Sequence, residues 1–398
     1  MYHLAQEHTS CNTKECRASL PRVLIVTPFL PPAPGGSGIY TELLAAGLVD
    51  GRWASKVIVL TERFPFLPQR SFRKGGAIEV RRQFPYRAGA SRRHVGSYAK
   101  YAVQNLQLLA LPMLVNREKI DIVLFHASLL YHPGVSRILV KHHVSRSRAC
   151  WIADVRDPLL PHTRFNVLYP FHAIIACSEN VMRNLRSDSV LASQVHLVPI
   201  PVQVSTPDSQ VRAEVMARFG LKSRSYVFSS SGIVGKKGVN DAIEAVRIAR
   251  AVDPSLVLVV VGKARDRDRR HEAAEQEGVL RYLGIVDHET SLALAADAAV
   301  DLNLSKVDSM PRGSLESLLM ATPVLVPAGI PEFERCCGGN VVDASDHVEV
   351  AKRILSFRQE RCLPAYDASR HSVGYVAKET AEVFSKASAR LRRSARAD

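Results

Sequence analysis

Long hydrophobic runs are missing from this sequence. The cleanest, Leu256 to Val261, is strand-length, well below the ~20 apolar residues a membrane-spanning helix requires. Leu106 to Val115 is longer but carries Gln107 and Pro112. The first twenty residues contain no apolar block, so they do not read as a secretory signal; residues 1–20 are expected to be an extension outside the fold. Cysteine is sparse, with seven in 398 residues. Cys150 and Cys177 sit in apolar strand-like stretches, Cys336 and Cys337 are adjacent, and Cys11 and Cys16 lack a second ligand pair. That pattern supports neither a disulfide framework nor zinc, and the expectation is reduced thiols in a cytoplasmic protein without a metal site. Acid is also short: 38 Asp and Glu stand against 53 Lys and Arg, a net charge of +15. Such an excess calls for an anionic partner such as a phosphate ester, a nucleic acid or an anionic lipid surface.

The excess is concentrated. Between Arg63 and Lys100 ten Lys and Arg face one acid, Glu79, with Phe64, Phe66, Phe72, Phe84, Tyr86 and Tyr98 interleaved. A solvated basic loop accounts for this, and so does a peripheral patch with aromatics at the headgroup level of an anionic membrane. No helix-turn-helix, RNA-binding or zinc motif accompanies it, so specific nucleic-acid binding is not expected.

What the chain does have is alternation. Arg22–Thr27, Lys56–Thr61, Asp121–His126, Ala149–Val155, Ala173–Cys177 and Val195–Val198 are short apolar runs separated by helix-length stretches. The prolines at 199, 201 and 207 then read as a linker, after which Tyr226–Ser231, Leu256–Val261, Val279–Leu283, Ala299–Leu304 and Pro323–Val326 repeat the pattern. Continuous apolar strands alternating with helices predict parallel sheets covered on both faces. The expected fold is α/β, with two doubly wound domains and a ligand between them at the carboxyl ends of the strands. The expected boundaries are 21–203 and 204–372, followed by a helix from Val373 that returns toward the first domain with the tail 373–398.

Three loops carry chemistry. Pro31 to Gly38 follows the first strand, where glycines let backbone N–H groups approach an anion at a helix N-terminus. Ser229 to Gly238 repeats that layout with Lys236 and Lys237. A lysine beside a helix N-terminus is unfavourable unless an anion sits there, which favours a phosphate site. Asp308 and Glu316, eight residues apart, span a strand-to-helix loop and can both face a ligand, offering carboxylates to sugar and ribose diols. A capping role for Asp308 and a helix-stabilising role for Glu316 are the plain alternatives. His142-His143 reads as a polar helix end, and Asp154 and Asp157 either shape the acceptor side or pair with Arg156.

The order of these motifs resembles the retaining glycosyltransferases of family 4, which have the two-domain GT-B fold. The resemblance rests on Pro31–Gly36, the DIVLFH strand ending at His126, Asp154–Pro158 and Ala176–Glu179. In the second half it rests on Gly235–Gly238, Leu283-Gly284, Ala295–Asp297, Asp308 to Glu316, Pro323-Val324 and Gly329–Glu332. It covers the chain from Pro21 to about Phe384. It implies a metal-independent transferase needing no cofactor besides a nucleotide-diphosphate sugar as donor substrate. Glu316 would bind the ribose, Lys237 the diphosphate, and Gly35, Gly36, Gly262 and Gly284 would approach the nucleotide. Asp308 would contact the sugar hydroxyls with Ser309, Met310, Pro311 and Arg312 beside it, and His126 would lie near the reacting carbon. His126, Asp308 and Lys237 are thus the catalytic candidates.

Two positions depart from the family pattern. Asp308 stands where Glu is usual, and Gly232 stands where an arginine is common five residues before the loop lysine. One phosphate-neutralising charge is then missing unless Lys236 or Arg312 replaces it. The leading reading is hexosyl transfer with retention to a lipid-linked or polysaccharide-precursor acceptor at the inner membrane face. The alternative is a degenerate GT-B protein that binds nucleotide or a partner without turnover. An oxidoreductase is disfavoured by the lack of a GxGxxG fingerprint, while a nucleotide-sugar 2-epimerase would share the fold.

Overall fold

The computed structural model describes residues 20–28, 30–31, 36–63, 76–85, 107–130, 135–156, 162–336, 338–361, 363 and 365–397. The first half contains Arg22–Val26 (β1), Gly36–Asp50 (α1), Lys56–Arg63 (β2), Ile78–Pro85 (β3), Leu111–Arg117 (α2) and Ile122–His126 (β4). Val135–Arg146 (α3), Cys150–Val155 (β5), Ala173–Ala176 (β6), Glu179–Arg186 (α4) and Val195–Leu197 (β7) complete it. All pairings among these strands are parallel, in the order β3-β2-β1-β4-β5-β6-β7. The sequence divides its apolar residues between two faces. Leu24, Val26, Phe125 and Trp151 enter one core, and Val23, Ile25, Leu124 and Ile152 enter the other. A strand alternates sides every residue, so a run apolar at every position is a strand covered on both faces.

The second half runs through Ser209–Phe219 (α5), Tyr226–Ser229 (β8), Val239–Arg250 (α6), Val257–Val261 (β9), Arg269–Gln276 (α7) and Leu280–Gly284 (β10). His288–Asp297 (α8), Val300–Leu302 (β11), Arg312–Leu319 (α9), Val324–Pro327 (β12), Pro331–Cys336 (α10), Val341–Val342 (β13) and His347–Gln359 (α11) follow. Its sheet is also parallel, ordered β10-β9-β8-β11-β12-β13. The alternation recurs, with Leu258 and Val260 in one core and Val259 and Val261 in the other. The chain is α/β with two Rossmann-like units.

In each sheet the winding direction reverses beside the first strand, between β1 and β4 and between β8 and β11. Loops diverge at such a point and leave a crevice at the carboxyl ends of the strands. Gly36 at the start of α1, His126 at the end of β4, Lys237 after β8 and Asp308 after β11 all lie at these ends.

The final helix, Val373–Ala397 (α12), packs Val376, Ala377, Val383, Phe384 and Ala387 into a core of the first sheet. Gly47 of α1 permits that approach, because a Cβ there would lie 2.8 Å from Val373 Cγ1 and 2.9 Å from Ala377 Cβ. The two crossings between the sheets touch at His371, whose Nδ1 lies 2.8 Å from Ile200 O and whose carbonyl accepts from Val202 N at 2.8 Å. Among the described residues no helix is long and apolar enough to cross a membrane.

The basic segment is corrected in part. Ile78–Pro85 is a strand, and Arg81 binds Glu79 and Glu118 while Arg82 donates to the Pro31 carbonyl. Those two arginines are structural ions of a sheet edge, not a loop offered to lipid. Arg70, Arg73, Lys74, Arg87, Arg92, Arg93 and Lys100 lie outside the described residues, as do residues 1–19.

Candidate active site between the two sheets

The second sheet contributes three charged groups. Gly235–Lys237 forms a single 3-10 turn after β8, and Gly238, at φ +75°, begins α6. Only glycine fits at 238, since a Cβ would lie 2.1 Å from Leu304 O. Lys237 Nζ pairs with Asp308 Oδ1, and Asn303 Nδ2 donates to Asp308 Oδ2 at 3.3 Å. The anion beside Lys237 is therefore a carboxylate of the chain itself. This corrects the expectation that the lysine's position is strained in the absence of phosphate. Neither residue caps a helix: Pro311 occupies the N-cap of α9.

Glu316 lies in the second turn of α9, not the first, and is 8% exposed. Its Oε1 accepts from Arg312 Nε at 2.8 Å and lies 3.0 Å from His288 Nε2. Burial raises its pKa, but His288 and Arg312 outweigh that and leave it lowered. Arg312 is thus committed to Glu316, which removes it as the substitute for a charge at 232. Beneath them Asp301 is buried, and desolvation pushes its carboxyl up to about 7, with the Ser314 and Ser317 hydroxyls as its neighbours.

The first sheet supplies a second cluster. His126 and Asp154 are register partners on β4 and β5, so their side chains share a face. Both are buried, and desolvation followed by the Arg156 charge depresses the His126 imidazole to about 3. Its Nδ1 lies 3.2 Å from the donating Ser128 N and 2.8 Å from Ser128 Oγ. A neutral ring can serve as a hydrogen-bonding surface at ordinary pH but not as a resting acid. Arg156 Nε donates to Asp154 Oδ2 at 2.9 Å, and its guanidinium carbon lies 3.2 Å from the centre of the Tyr40 ring. Asp154 therefore pairs with Arg156, while Asp157 falls outside the described residues.

The loop after β11 reaches across to this cluster. Ser309 Oγ donates to the Arg156 carbonyl at 3.1 Å and lies 3.5 Å from Cys177 Sγ. Met310, buried, joins the apolar cluster of Val202, Ile330 and Phe333. A second crossing runs from Glu179 N to Glu332 Oε1 at 2.6 Å, adding a carboxylate to the N-terminus of α4.

Not all predicted residues meet. Gly36 opens α1, whereas Gly35 lies outside the described residues. Gly262, at φ +121°, packs against Gly232. Gly284 ends β10 at φ +77°, with open space where a Cβ would be. His143 is no metal ligand: it is buried and its Nε2 lies 3.0 Å from Leu108 O. Asp266 and Asp268 stand in an Asp-x-Asp spacing, but Asp266 accepts from Gly235 N and Asp268 caps α7. Among the described residues no group of three or more His, Cys, Asp and Glu could hold a metal. Sequence reasoning missed His288, Asp301 and the Tyr40–Arg156 stack. Only Asp301, an acid inside an apolar strand, left a visible trace in the sequence.

Residues 211–380 match the family model described as glycosyl transferases group 1. The protein is a glycosyltransferase. The first half lies outside that match, and no curated protein matches the chain. Solved structures carry the fold comparison across both halves. Sucrose-phosphate synthase from Thermosynechococcus elongatus is similar at TM-score 0.67 and 17% identity, covering 94% of this chain and 98% of that one. The Anabaena protein HepE, solved with UDP and glucose, is similar at TM-score 0.68 and 15% identity over 92% of this chain and 99% of its own. The α,α-trehalose 6-phosphate synthase from Burkholderia multivorans is similar at TM-score 0.62 and 15% identity, over 95% and 98%. These likenesses establish the GT-B fold, with two Rossmann-like domains facing each other across a cleft.

Proposed function

We propose that this glycosyltransferase moves a hexosyl group from a nucleotide-diphosphate sugar to an acceptor with retention of configuration, in the manner of family 4. The observation that carries the donor reading is the trio Lys237, Asp308 and Glu316 at the second switch point, joined through Ser309 to the His126–Arg156 cluster. Glu316 accepts the ribose hydroxyls, its Oε1 oriented by Arg312 and His288. Lys237 leaves Asp308 for the diphosphate and neutralises the departing nucleotide. Asp308, released from that pair, accepts from the sugar hydroxyls, and Ser309 to Arg312 shape the pocket. His126 offers a neutral imidazole near the reacting carbon, while Gly35, Gly36, Gly262 and Gly284 allow backbone approach. No resident metal or cofactor is invoked. The HepE structures with UDP, glucose and UDP-glucose support a uridine donor.

Thermal-shift titration with UDP, GDP, ADP and their sugar conjugates tests the reading. The expected outcome is a rise in Tm with one base, lost in Glu316→Gln. No rise with any of them at millimolar concentration refutes it in favour of a protein that does not bind nucleotide sugars. For the acceptor we propose a lipid-linked or polysaccharide-precursor substrate at an anionic, inner membrane face. Leu109, Met113 on α2 and Ile138 on α3 are exposed, beside the exposed cations Arg117, Lys141 and Arg146. His143 of α3 and Leu108 hold the two segments together. Sedimentation with vesicles containing anionic lipid checks this, and equal recovery with neutral vesicles refutes it.

A further inference from the structure

The tips of β8 and β9 are folded into one another. Gly232 N donates to Val261 O at 3.0 Å, Ile233 N to Lys263 O at 2.8 Å, and Asp266 N to Ile233 O at 3.2 Å. Gly235 N adds a bond to Asp266 Oδ2 at 2.7 Å. The loop that carries Lys237 is thus bound along its length to residues 263–266. Gly232 is the point of closest approach. It has φ +67°, and a Cβ on it would lie 2.4 Å from Lys263 O and 2.8 Å from Lys263 N. No side chain can leave the backbone in that direction, so position 232 is closed to arginine by geometry, and the backbone that closes it belongs to a lysine.

The charges in this unit do not balance. Lys237 has Asp308. Asp266 accepts from a backbone amide, and Arg267 and Arg270 take Glu275 and Asp268. Lys236, Lys263 and Arg265 have no ion-pair partner among the described residues, and Lys236 and Arg265 are exposed. Lys263 is half-buried, and burial followed by the neighbouring Arg265 lowers its ammonium pKa. Lys263 and Arg265 are thus like charges two residues apart just beyond the tip of β9, where open α/β sheets bind ligands.

We propose that Lys263 supplies the second positive charge to the donor diphosphate, entering from the β9 tip because the β8 tip has no room for one. The inference rests on the donor reading above and adds a binding residue to it. Lys237 and Lys263 would then grip the diphosphate from adjacent strands, with α6 starting between them.

The test compares nucleoside diphosphates with their nucleosides: UDP against uridine, GDP against guanosine and ADP against adenosine, by calorimetry. Lys263→Gln should weaken the preferred diphosphate about tenfold or more while leaving its nucleoside unchanged, and Lys263→Arg should restore most of the loss. The unliganded Tm of both variants should stay within a few degrees of wild type, which separates lost charge from lost fold. Diphosphate affinity unchanged in Lys263→Gln, while Glu316→Gln abolishes binding, overturns the inference and leaves the donor reading standing. Wild type binding none of the diphosphates overturns both. Gly232→Arg gives an independent check: it should lower Tm and bind no tighter, and a stable, tighter-binding Gly232→Arg refutes the closed-tip argument.

Discussion

Arg156→Met isolates what the buried charge pair of the first domain is worth. Arg156 and Asp154 have side chains only 10% and 2% exposed, and Asp154 Oδ1 has no hydrogen-bond partner while Oδ2 takes the guanidinium. Methionine keeps much of the volume and the contact with Tyr40 but leaves Asp154 as an uncompensated buried carboxylate. Breaking a buried pair from one side costs about 3–5 kcal/mol, and the lost cation–π contact adds about 1 kcal/mol. In a domain of this size that lowers Tm by roughly 8–24 °C. Trp53 and Trp151, the only two tryptophans, both lie in the first half, so their fluorescence during urea unfolding reports the affected domain. The double variant Asp154→Asn, Arg156→Met should recover at least half of the loss, giving a coupling energy of about 2 kcal/mol. A loss below about 1 kcal/mol for Arg156→Met, or a double variant worse than either single one, would falsify the view that the pair is mutually compensating.

Three further outcomes follow from the buried titratable groups and the donor carboxylate. Asp301, raised to about 7, holds more protons folded than unfolded between about pH 4 and 7, so its contribution to stability falls as pH rises through that window. Asp301→Asn should match wild type below about pH 4 and exceed its Tm at pH 8; an equal Tm at both refutes the burial argument. His126, depressed to about 3, holds fewer protons folded than unfolded, so stability is present above about pH 6.5 and is lost as pH falls toward 3. His126→Gln should flatten that acid loss in urea midpoints measured from pH 7 to 4, and an undiminished slope would exclude a neutral buried ring. Glu316→Gln, which removes the charge that Arg312 and His288 orient, should weaken the preferred nucleoside diphosphate at least tenfold and also lower the unliganded Tm, because the buried Arg312 charge loses its partner.

The strands were legible because a two-faced parallel strand writes its burial into every position. RVLIV, IVLFH and VLVVV are β1, β4 and β9. Ile78–Pro85 was not legible: its run of Arg81, Arg82 and Gln83 reads as a loop. It is an edge strand whose charges are answered by Glu79 and by Glu118, 37 residues beyond Arg81. Helices α5 and α7 escaped for a related reason. The sequence of α7 is dominated by polar residues and that of α5 mixes polar with apolar ones, and the aspartates that start them, Asp208 and Asp268, show their role only once the backbone is seen.

The residues of the candidate site were visible in the sequence on both sheets, but the contacts that join them across the cleft were not. Lys237 and Asp308 stand on strand-to-helix loops of one sheet and Glu316 on the helix that follows, where local spacing decides who meets whom. Ser309 meeting Arg156, 153 residues away, depends instead on how two separate cores approach. Gly232 marks the limit of reading by position. In the sequence it looks like a lost arginine, a charge missing from the pattern of the family it resembles. In the structure it is the residue that lets Lys263 come close, so the same glycine is a requirement of packing. A position can lose its side chain because another backbone has taken its space, and the charge must then be sought on that neighbour.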